Sequence, residues 1–340
     1  MEHRTLGRTG LRVSRLSFGA MTLGQSEGFM KGVTSSEEEA RRVLDRALDA
    51  GIDTFDTANV YSEGQSEELL GRWLEGKRQR VVLATKCRFP TRGTAATALP
   101  HEHGLSRKAI LQACEDSLRR LRTDAIDLYQ VHMQDRSVPV EETLSALDDL
   151  VRQGKVRYAG CSNYAGYRLV ESLWAADRRG LERYASVQLQ WSLAERGAER
   201  ELVPAARAFG LGLMIWSPLA RGFLSGKYRR GEAPPAGTRL AAWQDTFRQF
   251  DNDGCWAALE ALRAVAQRRQ TTPAAAAIAW LLAKPEATTV IVGARTEAQL
   301  ADNLKALEVK LSPEDVAELD RVSAPDWGYP QAFIAVREPW

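Results

Sequence analysis

The stretch Ile52-Asp-Thr-Phe-Asp-Thr-Ala-Asn-Val-Tyr-Ser-Glu-Gly-Gln-Ser-Glu-Glu-Leu-Leu-Gly71 decides the fold. It begins with a short apolar run and turns polar at Asp56. A loop that carries Tyr61 then leads into an amphipathic helix that begins near Gly64. This order predicts a buried strand, a loop over its carboxyl end, and a covering helix. The loop therefore holds a carboxylate and a phenol, and a nearby cation would lower the pKa of that phenol.

The composition is typical of a globular protein of the cytoplasm. The chain has 340 residues and a formal net charge of +2. An α/β barrel commonly fills this length as one unit, so we expect a single domain over 1–340. The near-neutral charge gives no reason to expect a nucleic acid partner. The first residues lack the apolar core of a signal peptide, and no apolar run of about 18 residues predicts a membrane span.

The four cysteines are far apart and show no Cys-x-x-Cys spacing. This pattern favours free thiols in a reducing compartment over disulfides or a zinc site. His101 and His103 form a His-x-His pair in a loop, and two ligands without a third nearby are more typical of a solvated loop than of a metal site. We therefore expect no resident metal.

Strand and helix patterns alternate eight times along the chain. The predicted strands cover about 16–21, 52–55, 80–86, 125–132, 156–163, 185–191, 212–218 and 287–293. The helices between and after them cover about 34–51, 65–74, 106–121, 140–153, a segment that ends near 179, 199–209, 255–269, 273–283, 297–306 and 313–322. Eight such units predict a (β/α)8 TIM barrel with extra C-terminal helices, and an open doubly wound sheet is the competitor.

Two observations favour the barrel. No Gly-x-Gly-x-x-Gly follows the first strand, and nearly every strand ends in a polar residue or a glycine. Only a closed barrel brings all of those strand ends to one face. Residues 4–17 form a predicted N-terminal β-hairpin. The segment 221–253 is predicted to be irregular, and a loop of that length is usually a functional lid.

Four side chains at neighbouring strand ends suggest acid–base chemistry. Lys86 closes an apolar strand, and a lysine there commonly extends to water. Beside Asp56 and Tyr61 in a barrel mouth, we expect Asp56 to hold the ammonium and the ammonium to stabilise the tyrosinate, so that Tyr61 acts as a general acid. His132 closes the next strand and is expected to orient a carbonyl oxygen, although a lone histidine is often only a polar strand end.

These groups supply a proton but no electrons, so reduction needs a hydride carrier. Polar residues of the second half suit such a cofactor. Ser162, Asn163 and Gln188 suit a carboxamide, and Trp191 suits a flat ring, with a core or rim aromatic as the less favoured alternative for Trp191. The segment from Trp216 to Gly222 offers N–H groups, a hydroxyl and a cation for a pyrophosphate. Gly293 precedes Arg295 and Thr296, which lie at a predicted helix N-terminus, a natural anion site. An arginine there suits a 2′-phosphate, because it pairs with two phosphate oxygens.

The chain resembles the aldo-keto reductases over essentially its whole length, and most closely the branch with potassium channel β subunits and bacterial general reductases. The resemblance rests on Asp56-Thr-Ala-x-x-Tyr61, Tyr61-x-x-Gly64-x-Ser-Glu67-x-x-x-Gly71, Thr85-Lys86, Asp127-Leu-Tyr-Gln-Val-His132, Gly160-x-Ser-Asn163, Trp216-Ser-Pro-Leu219, Gly226-Lys-Tyr228 and Gly293-x-Arg295 with Gln299 and Asn303.

The resemblance implies a barrel, NADPH-dependent carbonyl reduction, and a tetrad that matches Asp56, Tyr61, Lys86 and His132. It implies cofactor contacts at Ser162, Asn163, Gln188, Trp216, Ser217, Leu219, Arg221, Lys227, Gly293, Arg295, Gln299 and Asn303. Trp191 stands where the family often has Tyr, and Arg221 stands where many relatives carry a small residue or Cys. Met133-Gln-Asp135 also departs from the family pattern, which bears on substrate preference.

Three hypotheses follow. The first is an NADPH-dependent aldehyde or ketone reductase with Tyr61 as the acid, acting on a small carbonyl compound. The second is a cofactor-sensing partner subunit, against which His132 argues because channel-associated relatives usually carry Asn there. The third, a metal-dependent barrel hydrolase, needs more ligands than Asp56 and His132. Homo-oligomerisation stays open. Pocket-lining guesses are Phe29, Met30, Phe89, Trp243, Phe247 and the C-terminal aromatics.

Overall fold

Eight parallel strands close into a barrel in the structure, a computed structural model that describes residues 1–28 and 30–337. A two-stranded antiparallel hairpin precedes the barrel and is formed by β1 (His3–Thr5) and β2 (Arg12–Ser14). The barrel strands are β3 (Leu16–Gly19), β4 (Thr54–Asp56), β5 (Val82–Cys87), β6 (Ile126–Val131), β7 (Val156–Ser162), β8 (Tyr184–Gln190), β9 (Gly212–Trp216) and β10 (Ala287–Val292). Pairing of β10 with β3 closes the barrel. The predicted (β/α)8 barrel is therefore confirmed and the open sheet excluded.

Helices follow the strands on the outside of the barrel. They are α1 (Glu37–Asp49), α2 (Gln65–Trp73), α3 (Arg107–Leu121), α4 (Val140–Arg152), α5 (Gly166–Arg179), α6 (Leu202–Phe209), α7 (Arg239–Ala242), α8 (Gln244–Phe250), α9 (Asp253–Arg268), α10 (Pro273–Leu282), α11 (Glu297–Leu304), α12 (Pro313–Val322) and α13 (Gln331–Ala335). None of the described helices is long and apolar enough to cross a membrane.

Local sequence explains where the helices begin. The side chains of Ser36, Ser106 and Thr272 each accept a hydrogen bond from a backbone N–H of the helix that follows. Ser312 forms a capping box with Asp315 at the start of α12. Each cap satisfies a donor that would otherwise lack a partner, and one cap typically contributes about 1 kcal/mol. The predicted helix starts agree with these caps to within a few residues.

The hairpin closes the amino-terminal end of the barrel. Leu6 and Val13 are fully buried in a cluster with barrel residues that include Leu128 and Met214. Gly7 has φ 58°, and a Cβ there would lie 2.6 Å from the carbonyl oxygen of Ala185. The hairpin can approach the strands this closely only because the residue is glycine. The opposite, carboxyl-terminal end of the barrel remains open for a site.

Two segments differ from the sequence prediction. The lid segment 221–253 contains the short helices α7 and α8, which are too short to show a helical period. Leu240 and Phe250 are buried in the hydrophobic core, where Phe250 stacks on Phe223, so tertiary packing forms these helices. The tail also forms α13, where an irregular segment was expected.

Candidate active site

Inward-facing residues of neighbouring strands meet at the carboxyl end of the barrel. The register pairs Asp56 of β4 with Ala84 of β5, and Lys86 of β5 with Gln130 of β6. Side chains two residues apart on a strand point to the same face, so the interior rows continue to the open end. His132 follows β6 directly, and its N–H donates to the carbonyl of Cys87 at 2.9 Å. The topology thus brings these strand ends together.

The carboxylate of Asp56 is the centre of a buried hydrogen-bond network. Its Oδ1 accepts from Lys86 Nζ at 2.5 Å. Its Oδ2 accepts from Gln130 Nε2 at 3.0 Å and from Gln188 Nε2 at 2.8 Å. Both oxygens are therefore satisfied without water, as a buried charge requires. Gln188, which the sequence suggested for a cofactor, lines the cavity and also holds Asp56.

Lys86 is fully buried and joins the carboxylate to the phenol. Its Nζ also donates to the carbonyl of Thr57 at 2.8 Å and to Tyr61 Oη at 3.4 Å. Burial alone would lower the pKa of Lys86, but the Asp56 carboxylate and Tyr61 outweigh it and raise that pKa. The ammonium form therefore prevails at neutral pH, with a cation held beside the phenol.

The pKa of Tyr61 is raised above its usual value. Burial of the phenol is the largest cause, and the opposing effect of Lys86 is smaller. The expectation of a lowered pKa is therefore wrong for this structure, because desolvation of the phenolate exceeds the attraction of one ammonium whose charge Asp56 partly balances. Tyr61 retains its proton at neutral pH and can donate it when a stronger base develops nearby.

His132 lies between two aromatic rings. Its ring centroid is 5.6 Å from that of Tyr61 and 5.1 Å from that of Phe89, both in edge arrangements. Burial, and then the charges of Lys86 and Arg88, lower the pKa of His132 well below its usual value. Its Nδ1 is buried without a hydrogen-bond partner in the described part of the chain. A neutral imidazole beside the phenol can position a polar oxygen without a charge of its own.

A cavity of about 950 Å³ opens over this network. Most of the predicted site residues line it, namely Asp56, Tyr61, His132, Asn163, Gln188, Trp216, Ser217, Leu219, Arg221, Lys227, Gly293, Arg295, Gln299 and Asn303. Lys86 is fully buried beneath the cavity surface and contacts Tyr61, which lines the cavity. The structure thus assembles the two halves of the predicted site around one space.

Ser162 and Trp191 do not line the cavity. Ser162 is buried, and its Oγ accepts from Asn163 Nδ2 at 3.0 Å. Trp191 is buried, and its ring centroid lies 6.2 Å from that of Trp280 in an edge arrangement. Its Nε1 donates to Glu199 Oε1 at 2.7 Å. The core alternative for Trp191 therefore describes its position, and Trp216, at the end of β9, is a strand-end indole that does line the cavity.

Four cations line the other end of the cavity: Arg221, Lys227, Arg239 and Arg295. No carboxylate within the described ranges forms an ion pair with any of them. Burial and the charge of Arg295, then Arg221, lower the pKa of Arg239 to about 10 against the opposing effect of Tyr228. Desolvation, and then the charges of Arg295 and Arg239, lower the pKa of Lys227. Four cations that line one cavity without an ion-paired carboxylate among the described residues have the chemistry that suits a polyanion.

The turn before this cluster has an unusual backbone. Ser217, Ala220 and Arg221 have φ of 56°, 48° and 56°, in the left-handed region. The N–H of Arg221 donates to Ser217 Oγ at 2.9 Å, which fixes the turn. Such conformations at residues other than glycine tend to occur at binding sites. At α11, Thr296 Oγ accepts from the N–H of Gln299, whose Oε1 accepts from the N–H of Arg295 at 2.8 Å.

The sequence matches a known family over most of its length. A model of the aldo/keto reductase family covers residues 15–324. The chain belongs to this family. An oxidoreductase of Bacillus subtilis without an established role is 40% identical over 342 residues, or 98% of this chain and 99% of that protein. A putative aryl-alcohol dehydrogenase of Schizosaccharomyces pombe is 38% identical and spans 94% of this chain and 95% of its own length.

A probable voltage-gated potassium channel subunit beta of Oryza sativa is 35% identical, with 95% of this chain and 96% of that protein covered. The predicted resemblance to the aldo-keto reductases is thus confirmed, and the chain is an oxidoreductase of this family. Aldo-keto reductases generally use nicotinamide cofactors, and the cations that line the cavity suit the phosphates of such a cofactor.

Sequence reasoning missed three residues of this aldo-keto reductase site. Gln130 holds Asp56 and could have been found, because it lies two residues before His132 on the same face of β6. Arg239 lies in the lid segment, where no periodic pattern places it. Arg88 follows β5 directly and lines the cavity beside Phe89.

The guesses for the apolar lining are correct in part. Phe89 and Trp243 line the cavity. Met30 and Phe247 do not line it. Met30 is fully buried, and the ring centroid of Phe247 lies 6.1 Å from that of Tyr228. Phe29 and the last aromatic, Trp340, lie outside the described residues. Among the described residues, no group of three His, Cys, Asp or Glu side chains could hold a metal ion.

Proposed function

We propose that the protein is an NADPH-dependent reductase that converts aldehydes or ketones to alcohols with Tyr61 as the general acid. One observation carries the proposal. A single cavity joins a protonated phenol, backed by a buried ammonium, to four cations that have no acidic partner among the described residues. Membership of the aldo/keto reductase family supports the same conclusion. In this proposal the chain works as one barrel domain.

The residues of the cavity fit a nicotinamide dinucleotide. The four cations would hold its phosphates, and Arg295 and Arg239 are the best candidates for the extra phosphate that distinguishes NADPH from NADH. Asn163, Gln188 and Trp216 border the tetrad and would hold the nicotinamide end, with Trp216 in the stacking role expected of Trp191. When bound, the cofactor supplies a hydride to the carbonyl carbon.

The protein's own groups deliver the proton and orient the carbonyl. Tyr61 Oη donates its proton to the oxygen as that oxygen gains negative charge, which completes the alcohol. Lys86 then stabilises the phenolate, and Asp56 holds Lys86 in place at 2.5 Å. His132, kept neutral by burial and neighbouring cations, positions the carbonyl oxygen through hydrogen bonding.

A turnover assay tests this proposal. NADPH consumption is measured with aromatic aldehydes and α-dicarbonyls, for the wild type and Tyr61→Phe together, and NADPH binding is titrated separately. We expect wild-type turnover, a loss of roughly 10²–10⁴ in kcat for the variant, and unchanged NADPH affinity, because only the proton donor is removed. Full turnover by Tyr61→Phe would refute the role of Tyr61, and no NADPH binding to the wild type would refute the cofactor.

A second candidate is a cofactor-sensing partner subunit with little turnover. Several similar proteins are named as potassium channel beta subunits, which favours it. Native mass determination and a pull-down from the source cells discriminate between the two functions. A stoichiometric protein partner without turnover would favour this candidate, and a homo-oligomer with turnover would favour the reductase. We propose a cytoplasmic location for either role, since the four cysteines are free.

A further inference from the structure

Arg88 has a strained backbone beside the acid–base groups. It follows the last residue of β5 and has φ 121°, a conformation that a residue with a Cβ rarely adopts. Its carbonyl accepts a hydrogen bond from the N–H of Gly104 at 2.8 Å, which ties the loop 88–104 together at its base. Strain of this kind persists where the surroundings determine the conformation, and it is concentrated at functional sites.

The guanidinium of Arg88 has no carboxylate partner among the residues that the structure describes. Its Nε donates to the carbonyl of Gln134 at 3.4 Å, and its terminal nitrogens donate to no described group. The nearby acid Asp135 is already satisfied, because it accepts from Ser137 Oγ at 2.6 Å and from the N–H of Leu105 at 3.1 Å. Arg88 therefore retains the planar pair of donors that a carboxylate accepts.

The position of Arg88 separates it from the cation cluster. Its guanidinium stacks on Phe89 at 4.8 Å, and the rings of Phe89, His132 and Tyr61 form a continuous series of contacts. Arg88 therefore lies at the reacting end of the cavity, where the four other cations do not. The charge of Arg88 also acts on His132, where it contributes to the lowered pKa.

We propose that Arg88 binds a carboxylate carried by the carbonyl substrate, so that the preferred substrates are aldehyde or keto acids. This inference rests on the proposed reductase function and specifies its substrate class. The aromatic side chains of Phe89 and Trp243 border the same space and suit a flat or apolar body between the carbonyl and the carboxylate. A fork of two N–H donors favours a planar carboxylate over a neutral ester of the same shape.

A purely structural role is the alternative. Arg88 stacks on Phe89 and donates to the backbone carbonyl of Gln134, so in this alternative its loss only loosens the loop. In that case all substrates would be affected alike. A charge-recognition role instead changes the ratio of the kcat/KM values for a charged substrate and its neutral analogue, mainly through the KM of the charged substrate.

The test compares para-carboxybenzaldehyde with methyl para-formylbenzoate, its neutral ester. The ratio of their kcat/KM values is measured for the wild type, Arg88→Met and Arg92→Met. Arg92 is exposed in the same loop and does not line the cavity, so it is the matched control. We expect the wild type and the control to favour the acid about tenfold to a hundredfold, the usual effect of a charge-assisted hydrogen bond.

In Arg88→Met the ratio should fall to near one through a higher KM for the acid, while the ester keeps its kinetics within about threefold. An unchanged ratio would overturn the proposal and leave the reductase function intact. If the wild type reduces neither aldehyde, calorimetry with terephthalate, which has no reducible carbonyl, decides the matter with NADP⁺ present. Weaker binding to Arg88→Met than to Arg92→Met would support the carboxylate site alone, and equal binding would overturn it.

Discussion

The two ends of the cavity balance charge in opposite ways. At the reacting end, Asp56 neutralises Lys86 at 2.5 Å, and two glutamine amides satisfy the remaining carboxylate oxygen. At the other end, Arg221, Arg239 and Arg295 face one another and Lys227 with no acidic partner among the described residues. The Asp56–Lys86 pair is balanced without a ligand, whereas the like charges at the other end repel one another, and a bound anion would relieve that repulsion.

This difference separates groups that act from groups that bind. A buried, fully paired network holds its members in one geometry, as catalytic groups require. A cluster of like charges destabilises the folded chain slightly and gives that free energy back when a polyanion binds. Replacement of the paired Lys86 by methionine should therefore lower stability, whereas replacement of Arg295 should leave the stability of the ligand-free protein unchanged or raise it slightly.

Lys86→Met should have the largest effect. It leaves the Asp56 carboxylate buried without its cation, which we expect to lower the free energy of unfolding by about 3–5 kcal/mol. Turnover should also disappear, since the phenolate of Tyr61 loses its stabilising charge. Urea unfolding measures the first effect. The double variant Asp56→Asn with Lys86→Met should recover much of the lost stability, and no recovery would mean that the loss does not come from an unpaired carboxylate.

Arg295→Met should have an intermediate effect, and we expect it to act on cofactor affinity and not on catalysis. We expect NADPH affinity to fall about tenfold to a hundredfold while NADH affinity changes little, because one charged contact to the extra phosphate is removed. Stability of the ligand-free protein should be unchanged or slightly higher. Arg229→Met is the control, since Arg229 is exposed and does not line the cavity. Equal losses of NADPH and NADH affinity would contradict the assignment of the phosphate.

His132 gives the smallest effect, which depends on pH. The pKa of His132 is lowered in the folded state, so below about pH 6.5 the unfolded chain binds a proton that the folded chain does not. Stability is therefore lost as pH falls. Between pH 7.5 and 5.5 the wild type should lose about 1 kcal/mol more than His132→Asn. The free energy of unfolding is measured in urea at both pH values. His101→Asn is the control variant, because His101 is exposed. Equal losses in wild type and His132→Asn would mean that His132 titrates normally.

The sequence was sufficient for the fold, and most of the site residues predicted from it do line the cavity. Apolar runs that end in polar residues located the barrel strands, and the predicted helix starts near 106 and 313 match the caps at Ser106 and Ser312. Strand-end polar residues then led to Asp56 and His132, because parallel strands bring their carboxyl ends to one face. The roles proposed for these residues are still predictions.

The remaining features depend on tertiary contacts that no local pattern encodes. Trp191 follows β8 and Trp216 is the last residue of β9, and packing against Trp280 buries Trp191 away from the cavity. Arg239 lies on a helix of four residues that tertiary contacts create. The raised pKa of Tyr61 follows from desolvation that exceeds the attraction of Lys86, and such a balance requires the burial of each group to be known.

Transfer of deuterium from labelled NADPH tests the central claim most directly. NADPH that carries deuterium at the transferable position of its nicotinamide is incubated with para-carboxybenzaldehyde and the wild-type protein, and the product is analysed by mass spectrometry. The proposed reaction predicts an alcohol with one deuterium on the carbinol carbon, formed far more slowly by Tyr61→Phe. NADPH oxidation without a labelled alcohol would contradict the proposal that one cavity combines hydride delivery with a phenolic acid.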